Sequence, residues 1–394
     1  MSQILIGIDG GATKINAWQV EITKKKSFML GTIHAEMAYS SIPGYIENFT
    51  PVSLGEQLDD FRKGEFHLTN SEIQQGAVLI ETCAQVIEDI TQQSKNKNIV
   101  VGIGMPGLKT KEGKGIAVIA NGPRMPHYIK NLEERLSMGK INFVEPIKRL
   151  GSDADYCGIG ENYAENGLFR DVQNAYYIGL GTGAADALKL NGCLLPFDQT
   201  KNWLAKTWEM KNNDGVSLES IVSARGFQQL YAQISKTTTA ELNKQNVFAD
   251  TIIERSQNGE NNAQQTCRIY LDVLSDLLLE RITTLYKGWQ NNFSFVNTER
   301  NTLEENHPYK GSFFERIIIG QRIGSLMKSE IGAIQLKEPL MHLLIQKIEQ
   351  SPHLSKSAKR HYADLERFIA FSNLRAAPAL GAAVDAMVYG EDNA

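Results

Sequence analysis

The sequence predicts an α/β protein of two domains whose ligands meet the carboxyl edges of its sheets. Three observations carry that expectation. Short apolar runs end repeatedly in small-residue loops: GIDGGATK at 7–14, GSDADYCG at 151–158, GLGTGAAD at 179–186 and GQRIG at 320–324. Segments with apolar residues at i, i+3 and i+4 lie between those runs. At 394 residues, 42% of them hydrophobic, the chain is long enough to build two cores.

The elements follow in order. Gln3 to Ile8 is a short apolar run ending in a glycine turn, and Asn16 to Ile22 resumes a strand pattern, which predicts a hairpin around DGGATK. Scattered Pro, Gly and Ser with weak periodicity make residues 35–70 a loop-rich insertion, whereas Ser71 to Thr91 has helical spacing. Asn98 to Gly104 (NIVVGIG) reads as a buried strand leading into a loop at MPG. Further short strands are expected at Ile141 to Val144, Asn174 to Ile178 and Arg316 to Ile319. A long amphipathic helix is expected over Gln264 to Trp289, then a polar loop over Gln290 to Lys310. Helical patches broken by Pro339 and Pro352 occupy 328–366, and APALGAAVDAMVYG closes the chain as a small-residue helix. No internal repeat of about 20 to 50 residues is visible.

Composition excludes several classes of function. The 41 basic residues nearly balance 45 acidic ones, a net charge of -4, so there is no bulk positive field for nucleic acid. Cys83, Cys157, Cys193 and Cys267 are far apart and lack CxxC pairing, which argues against a disulfide framework or a zinc knuckle. Asp9 and Lys14 interrupt the stretch a secretory peptide would need, and no run approaches the ~18 apolar residues of a membrane span. A cytoplasmic protein is expected.

The chemistry sits in the loops. Gly10, Gly11, Ala12, Thr13 and Lys14 form a turn whose glycines let backbone N–H groups approach a phosphate. Asp9, at the strand end, would repel that phosphate unless a divalent cation lay between them, which points to Mg²⁺ held directly or through water. A plain hairpin turn is the alternative, and no GxxxxGK[ST] loop is present there. Gly181, Thr182 and Gly183 offer a second set of backbone donors and a hydroxyl, so two such loops can grip one triphosphate. Phosphoryl transfer to an alcohol needs a carboxylate to accept the attacking hydroxyl's proton; Asp153 is the candidate, with helix capping as its alternative role and Asp155 as its rival. Asn121, in IANGPRMP, offers both a donor and an acceptor to a sugar hydroxyl, or else satisfies its own turn.

Taken in order, these motifs resemble the ROK (repressor, open reading frame, kinase) family of sugar kinases in the actin-like, hexokinase-like superfamily. GIDGGATK is similar to the family's first phosphate motif, VGIGMPGLKTKEGKGIAVIANGP to its GxPG segment, and SDADYCGIGE to the segment carrying the catalytic base. GLGTG is similar to the second phosphate motif, IIIGQRIG to the adenosine motif, and APALGAAVDA to the closing helix. The resemblance implies a two-lobed, ribonuclease H-like ATPase fold with an interdomain cleft. It implies ATP and Mg²⁺ as cofactors, Gly320 at the adenosine, Asp153 as base and a hexose or N-acetylhexosamine as substrate. It also implies a homodimer, while the charge balance and the lack of a long apolar run leave neither nucleic acid nor membrane expected as a partner. The small lobe is expected over 1–122 with the helix 378–394 packed back on it, and the large lobe over 123–377.

Three departures from the family pattern bear on function. The AGExGH segment, whose Glu and His contact the sugar, is represented only by AKTWEM at 205–210; Glu209 stands in for the Glu and the His has no counterpart. The CxCGxxGCxE zinc motif is missing, so no structural zinc is expected. Gln321 replaces the second glycine of the adenosine motif. The expected activity is an ATP-dependent sugar kinase, and the alternative is a catalytically inactive, ROK-like sugar-sensing protein. With the first loop beginning at Gly7, the helix-turn-helix of the family's repressors is not expected, and the length leaves no room for the peptide-binding domain of a chaperone-like ATPase.

Overall fold

A computed structural model describes residues 3–24 and 27–388. The chain divides into two compact units, Met1–Gly167 with Ala376–Ala394 and Leu168–Arg375.

In the first unit β1 (Ile4–Gly10) and β2 (Lys14–Ile22) form the expected hairpin, and β3 (Phe28–Ala38) pairs antiparallel with β2. On the other side of β1 lies β4 (Asn98–Gly104), parallel to it. Two short parallel strands, β5 (Asn142–Phe143) and β6 (Leu150–Gly151), then pair with the two ends of β4. These two strands explain why the boundary falls after residue 167 and not at 122. Their ladder bonds make the segment beyond Asn121 an edge of the first sheet, and the helices beside them, Tyr128–Met138 and Asp153–Tyr163, stay with it. The sheet order is β3-β2-β1-β4, with β5 and β6 sharing the far edge.

One face of this sheet is covered by α1 (Asn70–Ser94), which starts at a Thr69–Glu72 capping box and buries Val78, Cys83, Val86, Ile87 and Ile90. Packed in the same unit are α2 (Asp153–Tyr163) and the C-terminal helix Ala377–Val388. That last helix has small residues because its backbone touches its neighbours. A Cβ on Gly7 would lie 1.8 Å from the Ala379 carbonyl oxygen, and one on Gly102 would lie 1.8 Å from that of Ala382. Of the helix expected over 378–394, residues 389–394 lie outside the described residues.

Two corrections concern the insertion at 35–70. It begins inside β3, which the pattern concealed because most of its residues are at least partly exposed. It also contains a ten-residue helix, Leu54–Lys63, capped by Ser53.

The second unit repeats the first sheet's topology. β7 (Ala175–Leu180) and β8 (Ala184–Leu190) form a hairpin, β9 (Cys193–Leu195) pairs antiparallel with β8, and β10 (Arg316–Gly320) and β11 (Ile369–Phe371) add in parallel beside β7. The order β9-β8-β7-β10-β11 is that of the first sheet, so GGAT and GTG occupy the same turn of two duplicated hairpins. The core gathers around α3 (Asn261–Lys287), and Trp289 is buried within it. Pro339 does not break its helix. The preceding turn, Ala333–Lys337, widens to a π-helix, and Pro339 then falls in the first turn of Glu338–Gln350, where its missing N–H costs little.

Candidate active site

The first unit collects its polar chemistry where β1, β4 and β6 end. Asp9 is the penultimate residue of β1, and Asp153 opens α2 two residues after β6. Ser152, not Asp153, is the N-cap of that helix, so the capping role weighed for Asp153 does not apply. Burial chiefly, and then the Asp153 carboxylate, push Asp9 up from 3.8 to about 7, while Lys14 pulls it down. Two carboxylates are thus held within electrostatic reach at one strand-end corner, and neither has a side-chain hydrogen bond among the described residues. Asp155 does not figure among the groups that shift Asp9; its charge acts on Arg149, which is bound in a fork by Asp385 of the C-terminal helix.

The turn beside Asp9 is partly committed to its own structure. Gly11 N–H donates to the Lys14 carbonyl at 2.9 Å, and the Tyr39 hydroxyl donates to the Gly11 carbonyl at 2.9 Å. Ala12 and Thr13 are exposed, and their N–H groups have no acceptor among the described residues, leaving two backbone donors for an anion. Gly10 has no room for a side chain, since a Cβ would stand 1.9 Å from the Met105 sulfur. Lys14 forms an ion pair at 2.7 Å with Glu36 on β3, and both are about half exposed.

Asn121 stands on the exposed tip of a loop closed by the paired backbones of Ile116 and Met125. Its feet are firmly held. Arg124, 1% exposed, places its guanidinium on both carboxylate oxygens of Glu72, on Asp60 at 2.7 Å and on the His67 carbonyl at 2.8 Å.

In the second unit the GTG turn carries unexpected neighbours. Glu219 accepts from Ala184 N–H at 2.8 Å, and its Oε1 lies 2.5 Å from where a Cβ on Gly183 would sit. The Gln321 amide lies against Gly179 and Gly181. Gln321 has φ +57°, the left-handed conformation that a glycine adopts without strain, so the departure noted in the motif is a real backbone cost. Gly320 packs against the Tyr177 ring, where a Cβ would come within 2.3 Å of its hydroxyl. No sequence signal marked Glu219 or Gln321 as neighbours of this turn, because each comes from a distant segment.

Glu209 is already engaged. It accepts from Lys206 N–H at 2.7 Å and is paired with the Arg300 guanidinium. The segment that holds it is anchored below by Thr207, whose N–H and hydroxyl both donate to buried Asp186, which also receives Tyr176 and Arg281.

Two concavities of about 300 and 320 Å³ lie in the second unit, one beside Trp203 and His307, the other beside Asp276 and His353, and neither is lined by an expected site residue. Among the described residues no group of three or more His, Cys, Asp or Glu is placed to hold a metal ion. No helix there is long and apolar enough to cross a membrane.

No protein-family model and no curated protein matches the chain. Solved structures do. A ROK family glucokinase from Streptomyces griseus, in complex with glucose and AMPPNP, aligns with a TM-score of 0.55 over 96% of this chain and 98% of its own at 14% identity. A glucokinase from Parabacteroides distasonis aligns with a TM-score of 0.52 over 98% of this chain and 97% of its own at 15% identity. A ROK family transcriptional regulator, a homologue of the E. coli MLC protein, gives 0.52 over 98% of this chain and 78% of its own at 13% identity. At such identities the likeness is one of fold: this chain has the α/β, actin-like ATPase fold of the ROK sugar kinases and ROK regulators.

Proposed function

We propose that the protein is an ATP-dependent sugar kinase, transferring the γ-phosphate of ATP to a hydroxyl of a hexose or N-acetylhexosamine. The observation that supports it most is the pairing of Asp9 with Asp153 beside a turn with two spare N–H donors. Two like charges kept close at a partly buried corner suit a site completed by a cation and a phosphate. Asp9 is the residue that would hold Mg²⁺, directly or through water. Fewer than three protein ligands fit an ion that takes its other oxygens from phosphate and water, and when bound it would neutralise charge on the transferring group.

The rest of the work falls to the chain's own groups. Asp153 accepts the proton of the attacking hydroxyl, and Asn121 orients the sugar ring through its amide. Ala12 and Thr13 N–H groups donate to phosphate oxygens, with Gly10 and Gly11 allowing the approach and Lys14 adding positive charge nearby. Gly181, Thr182 and Gly183 are further phosphate contacts, and Gly320 contacts the adenosine. The same reading proposes a cytoplasmic homodimer.

A second reading, a catalytically inactive sugar sensor, is favoured by one observation. Glu209, the residue standing in for the sugar-binding Glu, is occupied by Arg300. The experiment that separates the two is ADP release from ATP and Mg²⁺ with glucose, N-acetylglucosamine, N-acetylmannosamine, mannose, fructose and allose, with Asp153→Asn as control. Sugar-dependent release that the variant loses supports the kinase; sugar binding without release supports the sensor.

A further inference from the structure

The helix Leu54–Lys63 is amphipathic, yet its one buried side chain is polar: Gln57, fully buried. Gln57 behaves as a strand partner for a backbone 62 residues away. Its amide nitrogen donates to the Ile119 carbonyl at 3.1 Å and to Val52 at 2.7 Å, and its oxygen accepts from Ile119 N–H at 2.8 Å. One turn later Asp60 accepts from Arg124 at 2.7 Å, and the same guanidinium takes the His67 carbonyl and Glu72. The segment 52–72 therefore grips both feet of a loop of which only Ala120 and Asn121 stay exposed.

A buried guanidinium with two carboxylates adds little stability over a packed apolar cluster, because desolvation offsets the attraction. What such a cluster supplies is direction: planar bidentate bonds admit one register, whereas apolar contacts tolerate sliding. No other side chain of the helix is fully buried, and the half-buried Asp60 faces the same loop through Arg124, so most of what the helix contributes goes to this loop and not to the core.

We propose that the insertion 53–69 is a positioning clamp for Asn121, setting the height and orientation of the amide that meets the sugar and so the choice among hexoses; this rests on the kinase reading above. Gln57, Asp60 and Arg124 act through Asn121 and are positioning residues. Their loss weakens sugar binding without touching the nucleotide.

Gln57→Met preserves length and removes all three bonds. In the enzyme acting on whichever of the six sugars it turns over, the KM for that sugar rises about tenfold, its preference over the next-best sugar narrows, and kcat and the KM for ATP stay within about twofold. Amide exchange at Ala120 and Asn121 accelerates in parallel. Arg62→Ala, on the exposed side of the same helix, changes none of these. If Gln57→Met does not fold, Asp60→Asn is read in the same way. Faster exchange with unchanged sugar KM and preference overturns the clamp, as does an equal loss toward ATP and sugar. If wild type binds one of the sugars but transfers no phosphate, the kinase reading falls alone, and the clamp is judged by the dissociation constant for that sugar. No binding of any of the six overturns both.

Discussion

Asp9 is predicted to cost the folded protein stability at neutral pH, and Asp9→Asn to recover it. Unfolded, the carboxyl would release its proton near the ordinary 3.8; folded, it holds it to about 7, chiefly through burial and secondarily through Asp153. The folded state therefore binds more protons across that interval, so the associated stability is complete below about pH 3.8 and is lost as pH rises through 7. Three pH units correspond to about 4 kcal/mol at most, and because local relaxation and water penetration relieve part of the burial cost the effect is taken as roughly 2 kcal/mol. Thermal unfolding of wild type and Asp9→Asn between pH 4 and 8, without nucleotide, measures it. The variant should melt roughly 5 °C higher at pH 8, and the gap should close toward pH 4. Asp153→Asn should recover less than half as much, since burial is the larger cause. A gap that is absent at pH 8, or that does not shrink on acidification, would show the two carboxylates to be independently solvated and would remove the physical ground for a cation at this corner.

Three further outcomes follow from named contacts. Asp153→Asn should lower turnover by about 10²-fold or more with nucleotide affinity retained, whereas Asp155→Asn, whose charge acts on Arg149, should keep kcat within a few-fold; steady-state kinetics with nucleotide titration decide between them. At the left-handed Gln321, Gln321→Gly should be more stable than Gln321→Ala by about 1 kcal/mol, a difference that isolates backbone strain from the lost amide and is read by urea unfolding. Gly102→Ala should destabilise by roughly 2 to 3 kcal/mol or prevent folding, because its Cβ meets the Ala382 backbone, which cannot swing aside; circular dichroism melts test this.

The sequence made some elements legible because local pattern and tertiary role agree in them. β1 and β4 are buried along their length and read as continuous apolar runs, and α1 shows helical apolar spacing over most of its length. β3 escaped because it is an edge strand with alternating exposure, and its pairing with β2 leaves no local mark. Pro339 misled because a proline signals a break only where the N–H it lacks would have been used; a π-turn before it removed that need. Asp153 and Asp155 compete as letters two apart, yet they take different neighbours because side chains two apart in one helical turn project to roughly opposite sides.

The duplicated hairpins carry the argument one step further. Both sheets present a glycine turn between their first two antiparallel strands, so the fold alone would make the turns equivalent. Their surroundings are not. The first turn lies beside a carboxylate pair and keeps two exposed N–H groups, whereas the second is braced by Glu219 on one side and the Gln321 amide on the other. A brace that a ligand must displace or bond to is a specificity element, while an open pair of donors beside a cation-demanding corner is a general anion site. On the kinase proposal, chemistry would be governed at Asp9 and Asp153 and nucleotide discrimination at Glu219 and Gln321, two residues whose relation to the turn exists only after folding.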